Sequence, residues 1–298
     1  MRRWLSTARV QGILGTVLSC AALSTVLYVS LAFADSKGRE RARYGAPTES
    51  ESYLRFTPFN LANGSKLTLI SPARWSDLSE DLVQSLNRTH EQYTLLFDRI
   101  PAFSTSIRLM DEESFYELTG APAWTNAMFF RGEIIIPLSK TEPIDIENLQ
   151  RSVRHEFTHA VLSSLSGGQV PGWLDEGIAQ WSEGYEHPAL REALRSWLGK
   201  NEPVPLALLQ GGFTKLEPAM VPAAYCESLL ASKAMIQAFG FKKIGDYLLL
   251  LRKGADKDAA FEATFGLPTA HFEEKLGESL KTWATIPEQH EKAPVRSR

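Results

Sequence analysis

Apolar positions change their spacing along the chain, and the change divides it. Lys66–Ser71 alternates apolar and polar residues and predicts a strand, and Thr105–Met110 suits a second. Between them Leu78–Arg99 places Leu78, Leu82, Leu86, Tyr93 and Leu96 or Phe97 close to helical spacing, with Pro101 as the stop. Phe115–Leu118 predicts a short helical turn closed by Gly120. Met128–Phe130 and Glu133–Ile136 flank Arg131-Gly132, which resembles a tight hairpin.

From Ile144 the period becomes helical. Asp145 is placed to cap a helix whose one face carries Leu149, Val153, Phe157, Ala160 and Val161, and Gly167-Gly168 ends it. Pro171-Gly172 precedes a second helix starting near Trp173. Ala189–Leu198, Ala224–Phe239, Lys243–Lys253 and His271–Trp283 predict further helices, with breaks at Gly240, Gly254 and Gly266-Leu267-Pro268. The expected class is α+β: a small mixed β-sheet followed by a helical half. Residues 53–143 form the expected N-terminal α/β subdomain and residues 144–285 the expected helical subdomain. Residues 35–52 read as a polar linker and 286–298 as a loose tail.

The first 34 residues stand apart. Arg2, Arg3 and Arg9 precede an uncharged run from Val10 to Ala34, and Ala32-Phe33-Ala34 offers a small-x-small cleavage site before Asp35. This is the pattern of a signal peptide. The run is also long enough for a bilayer-spanning anchor, and Lys37, Arg39, Arg41 and Arg43 follow it. Export to the cell envelope, with cleavage or with a retained N-terminal anchor, is therefore expected.

Charged residues are 22% of the 298 and the formal net charge is −3, which excludes disorder as the main description and leaves no basic surface for nucleic acid. With only Cys20 and Cys226 the chain can build neither a disulfide framework nor a cysteine-ligated zinc site.

The chemistry concentrates in His155-Glu156-Phe157-Thr158-His159, inside a predicted helix. Residues four apart lie on one helix face, so two imidazoles converge on a single ion, and Glu156 can reach solvent beside that ion without being a ligand. Two nitrogen ligands hold zinc poorly, and a catalytic site wants a third protein ligand with one position open. Pro171-Gly172-Trp173-Leu174-Asp175-Glu176-Gly177-Ile178-Ala179 is the best source. A Gly-Gly break lets its helix fold back against the first, with Glu176 facing the histidines and Asp175 as the rival ligand. Small Gly177 and Ala179 allow close approach of helices.

HEFTH followed by WLDEGIA resembles the gluzincin zinc peptidases, and is most similar to the compact bacterial peptidase MA-like proteins. Ala224-Tyr225-Cys226-Glu227-Ser228, Phe239-Gly240, Phe265-Gly266 and Trp283 extend the resemblance over roughly residues 67–283. It implies zinc held by His155, His159 and Glu176, with Glu156 as general base and Tyr225 stabilising the oxyanion. It implies hydrolysis of peptide bonds through a water activated by zinc, or a zinc-bound but inactive envelope module. One departure stands out. Where related sites carry an acid one turn after the third ligand, this chain has Gln180, whose amide oxygen can still accept an imidazole N–H but raises ligand basicity less; either metal affinity or activity is lower, or Glu183 substitutes.

The expected partner is a peptide or protein substrate, met at the edge of the sheet if the Met128–Ile136 hairpin lies beside the site. Trp124, Phe129 and Phe130 line a pocket there or pack the core, with core favoured. His90, His187, His271 and His290 lack ligand spacing and are expected to be solvated. Cys226 is expected to be buried packing. Oligomeric state is not legible.

Overall fold

The computed structural model describes residues 53–121, 125–213 and 216–286. The signal or anchor segment, the linker, Cys20, Trp124, His290 and the tail from residue 287 lie outside the described residues. Among the described residues no helix is long and apolar enough to cross a membrane.

The strands are β1 (Leu54–Asn60), β2 (Lys66–Pro72), β3 (Ser104–Asp111), β4 (Met128–Phe130) and β5 (Glu133–Leu138). They form one sheet in the order β1-β2-β3-β5-β4, antiparallel at its two outer pairs and parallel at its two inner ones. Alternation puts Leu67, Leu69, Ile107, Leu109, Ile134 and Ile136 on one face, all buried. That face packs on α1 (Leu78–Phe97) and α3 (Ile146–Ser166), which contribute Leu82, Leu86 and Tyr93, and Val153, Phe157 and Val161, to the same core. Each such side chain contributes roughly 1.5–3 kcal/mol of burial.

The 3-residue hairpin strand β4 forms the sheet edge nearest α3. Arg131 and Gly132 make its turn, both at positive φ (52° and 82°), the conformation that a two-residue hairpin with right-handed strand twist requires. Helix α2 (Glu112–Thr119) is capped by Asp111, which accepts from the Ser114 N–H at 3.1 Å, and closed by left-handed Gly120.

The helical half continues with α4 (Gly172–Glu183), α5 (Pro188–Leu198), α6 (Val221–Arg252), α7 (Lys257–Phe265) and α8 (Thr269–Thr285). Asp145 caps α3 as expected, accepting from Glu147 and Asn148 N–H groups, and Gly167 closes it in the left-handed conformation. Gly240 breaks α6 with φ 78° and ψ 161°.

Three expectations fail. β1 precedes the first expected strand. It is an edge strand containing Pro58, and its apolar Leu54 and Phe56 are exposed. Helix α7 lies outside the expected helices: its apolar residues sit on several faces rather than one stripe, although Asp256 caps it by accepting from Ala259 N–H at 3.0 Å. His90 is buried rather than solvated.

Candidate metal centre

Helix α3 carries His155 and His159 one turn apart, their ring centroids separated by 5.0 Å. Helix α4 crosses beside it and brings Glu176. The Glu176 Oε2 lies 3.7 Å from His155 Nε2 and 3.9 Å from His159 Nε2. One donor atom from each of the three residues lies within 4.8 Å of the others, and this is the one such trio among the described residues.

The position of α4 follows from its sequence. Its first N–H groups, which a helix cannot satisfy internally, are taken by a neighbouring loop: Gly172 N–H donates to the Gln210 carbonyl (3.1 Å) and Trp173 N–H to that of Leu209 (2.7 Å). A Cβ on Gly172 would stand 2.3 Å from the Gly211 carbonyl oxygen. Gly177 meets α6 so closely that a Cβ there would lie 2.1 Å from the Ser228 carbonyl oxygen. The small residues therefore do allow the close helix approach, and its partner is α6.

The outer nitrogens of both imidazoles face carboxylates. His155 Nδ1 is 2.7 Å from Glu183 Oε1. His159 Nδ1 is 2.9 Å from Asp175 Oδ1, an ion-pair contact set off the line of a good hydrogen bond. A carboxylate only accepts, so the Nδ1 of each ring carries a proton, and Nε2 is the nitrogen that faces the centre and can bind an ion once its own proton is lost. Asp175, the rival ligand in the sequence, is placed behind His159. Glu183 takes the orienting position expected at Gln180. The Gln180 amide instead donates to the Tyr225 carbonyl at 2.8 Å and more weakly to that of Glu176 at 3.3 Å.

Electrostatics follow from this crowding. Burial would lower the His155 pKa, but Glu176 and Glu183 bonding to it raise it well above the usual imidazole value. Burial opposes the His159 cation too, yet the Asp175 charge pushes its pKa up to about 9. Glu176 is raised by burial and brought below the usual carboxylate value by its bond to His155 and by the charges of both histidines. Glu156 is buried, which raises its pKa, and the charges of the two histidines, with the nearby Phe129 backbone on edge strand β4, partly offset that. Tyr225 stands near both Glu176 and Glu156. Burial first, then those two charges, drive its phenol far up in pKa, and its ring packs edge-on against Phe213 at 4.9 Å.

The donor set fits a divalent ion of the zinc type. Ligands at the usual ~2.0–2.1 Å zinc distance stand about 3.3 Å from one another in a tetrahedron, and the observed spacings approach that. Two imidazole nitrogens, neutral when they bind, and one carboxylate oxygen make a three-ligand set, the number typical of zinc centres that keep a fourth position for water or substrate, and Glu156 and Tyr225 lie close by.

His187 is the site residue that sequence reasoning misses. Its Nε2 is 2.9 Å from Glu183 Oε2. The Glu183…His187 spacing of four is visible in the sequence, but runs past a helix end where spacing predicts nothing. Phe129 packs against the core, and the half-buried Phe130 has the Arg131 guanidinium over its ring. Cys226 is buried, its thiol pushed up to about 12 by burial.

A mixed sheet backed by helices, with two histidines and a carboxylate gathered from antiparallel helices, defines a helix-borne metal centre beside a sheet edge. The model of the Peptidase MA superfamily matches residues 108–282, more than half of the chain, and the chain belongs to that superfamily. No curated protein gives a significant match. Among solved structures the chain is similar to an M1 zinc metallopeptidase from Deinococcus radiodurans, at 17% identity and a TM-score of 0.44 over 79% of this chain and 53% of that one. A mutant of the Deinococcus radiodurans enzyme bound to a Tyr-Ser-Ala substrate matches at 16% identity and a TM-score of 0.44, with the same 79% and 53% coverage. The chain thus spans about half the length of these structures.

Proposed function

We propose that the protein is a zinc-dependent peptidase in which His155, His159 and Glu176 hold the ion, Glu156 is the general base and Tyr225 donates to the oxyanion. The observation that carries this reading is the convergence of both Nε2 atoms on Glu176 while acids hold both Nδ1 sides.

Zinc bound there supplies Lewis-acid polarisation of the scissile carbonyl and of the attacking water. The chain's own groups move the protons. Glu156, adjacent to the first ligand and buried, accepts the proton of the attacking water and returns it to the leaving nitrogen. Its raised pKa suits both halves of that task. Tyr225, with its phenol driven far up in pKa, stays protonated and donates its O–H as negative charge develops on the carbonyl oxygen. Gln180 holds the Tyr225 backbone to the helix that carries Glu176.

The substrate is a peptide or protein strand. Edge strand β4 ends the sheet among the described residues and comes close to Glu156 at Phe129, which supports placement of substrate along it. Residues 1–34 support action in the cell envelope, and sequencing the mature N-terminus separates cleavage before Asp35 from a retained anchor. The alternative is a zinc-bound but inactive envelope module, which would have no use for an intact Glu156 base.

Glu156→Gln tests the assignment. The variant keeps the geometry and should retain one zinc per chain while losing cleavage of a quenched peptide library. Equal cleavage by the variant and the native protein contradicts the base assignment. Zinc-loaded native protein inert across the library favours the module.

A further inference from the structure

Glu183 is the last residue of α4, and its place is an awkward one for a carboxylate. The C-terminal end of a helix carries unsatisfied carbonyls and partial negative charge, which repel an acid. Its side chain is also largely buried, only 11% exposed. Two features offset this. Arg154 donates to the backbone carbonyls of Ser182 (3.4 Å) and Glu183 (3.2 Å), neutralising the helix end. The carboxylate itself is shared between two imidazoles, Oε1 with His155 Nδ1 at 2.7 Å and Oε2 with His187 Nε2 at 2.9 Å.

His187 is held in turn. Its ring meets Tyr185 edge-on at 4.8 Å, and the Arg151 guanidinium lies over the Tyr185 ring at 5.0 Å. Arg151 and His155 stand one turn apart on α3. The path Arg151, Tyr185, His187, Glu183, His155 therefore leaves α3 and returns to it, closing the turn after α4 against the helix that carries the histidines. His187 is 44% exposed, so its contact with Glu183 is not forced by core packing.

We propose that His187 is a positioning residue for the metal centre: by donating to Glu183 Oε2 it fixes the carboxylate that orients His155 and keeps its Nε2 aimed at the ion. This rests on the zinc reading above. With one oxygen anchored, the Glu183 carboxylate cannot rotate away, and the imidazole loses less freedom when metal binds. Without the anchor, Glu183 can turn to solvent and His155 loses its fixed tautomer.

The test uses the whole protein loaded with zinc, in native, His187→Leu and His187→Gln forms, at a pH where the imidazole is neutral. The readouts are zinc loss to a chelator and the visible spectrum of the cobalt-substituted protein. Leucine fills the space without a donor; glutamine restores an N–H. The expected result is zinc loss accelerated by about three- to tenfold in His187→Leu, with a changed cobalt spectrum, and near-native behaviour in His187→Gln. Thermal unfolding of the metal-free forms should be alike. Native rates in His187→Leu overturn the proposal, as does equal acceleration in both variants. Native protein that binds no zinc removes the site reading, and this proposal with it; zinc-loaded native protein indifferent to residue 187 overturns this proposal alone.

Discussion

Gly177 on α4 and Ser228 on α6 touch through their backbones: a Cβ on Gly177 would stand 2.1 Å from the Ser228 carbonyl oxygen and equally close to the Ser232 hydroxyl. That contact sets the depth at which Glu176, the preceding residue, enters the centre. Gly177→Ala should therefore lower stability by about 1–3 kcal/mol, the usual cost of overpacking, and weaken zinc binding as α4 is pushed out. Urea unfolding and chelator competition measure the two effects. Native stability in the variant would mean that α6 yields and the contact positions nothing.

The acids behind the histidines should matter more than the amide beside them. Glu183→Gln and Asp175→Asn are each expected to lower zinc affinity by roughly 10- to 100-fold. Gln180→Ala, which removes a bond to the Tyr225 backbone rather than to an imidazole, should leave affinity near native and slow cleavage. Chelator competition paired with peptide cleavage separates these cases.

Without metal, His159 is a cation held by Asp175, with a folded pKa of about 9 against an ordinary 6.5. A raised imidazole pKa stabilises the fold fully below 6.5, and the contribution disappears as pH rises through about 9. Metal-free protein should thus lose several degrees of melting temperature between those limits, and His159→Gln should flatten the slope. Zinc must displace the same protons, so calorimetry in buffers of different ionisation enthalpy should detect proton release on binding at about pH 7.

Glu227 on α6 lies outside the centre and gives a linkage of the same direction, this time from an acid kept neutral by burial. It is buried, accepts the Val204 N–H at 2.9 Å, and burial pushes its pKa up to about 8 from an ordinary 4.5. The unfolded chain ionises this group first, so its contribution falls between pH 4.5 and about 8. Glu227→Gln keeps an acceptor without a charge. It should match native stability below about pH 4.5 and exceed it at about pH 8 in urea midpoints.

Much of this arrangement is legible in the amino-acid sequence, wherever local chemistry decides. Asp145 and Gly167 bound α3 because a side-chain cap and a left-handed glycine act within a few residues. The four-residue spacing of His155 and His159 puts both rings on one face for the same reason. What is not legible depends on contacts across helices. Glu176, Gln180 and Glu183 share one face of α4, since four and seven residues both return near the same angle, so sequence alone cannot choose which orients His155. The crossing of α4 on α6 decides it, giving Gln180 to the Tyr225 carbonyl and Glu183 to the imidazole. β1 is hidden because Pro58 interrupts it and its apolar Leu54 and Phe56 face solvent rather than the core. His187 is hidden because its partner lies across a helix end.

The central claim is tested most directly by anomalous diffraction at the zinc absorption edge from crystals of the zinc-loaded protein. One peak per chain is expected, about 2.0–2.2 Å from His155 Nε2, His159 Nε2 and a Glu176 carboxylate oxygen. A peak held by Asp175 in place of Glu176, or no peak between α3 and α4, would contradict it.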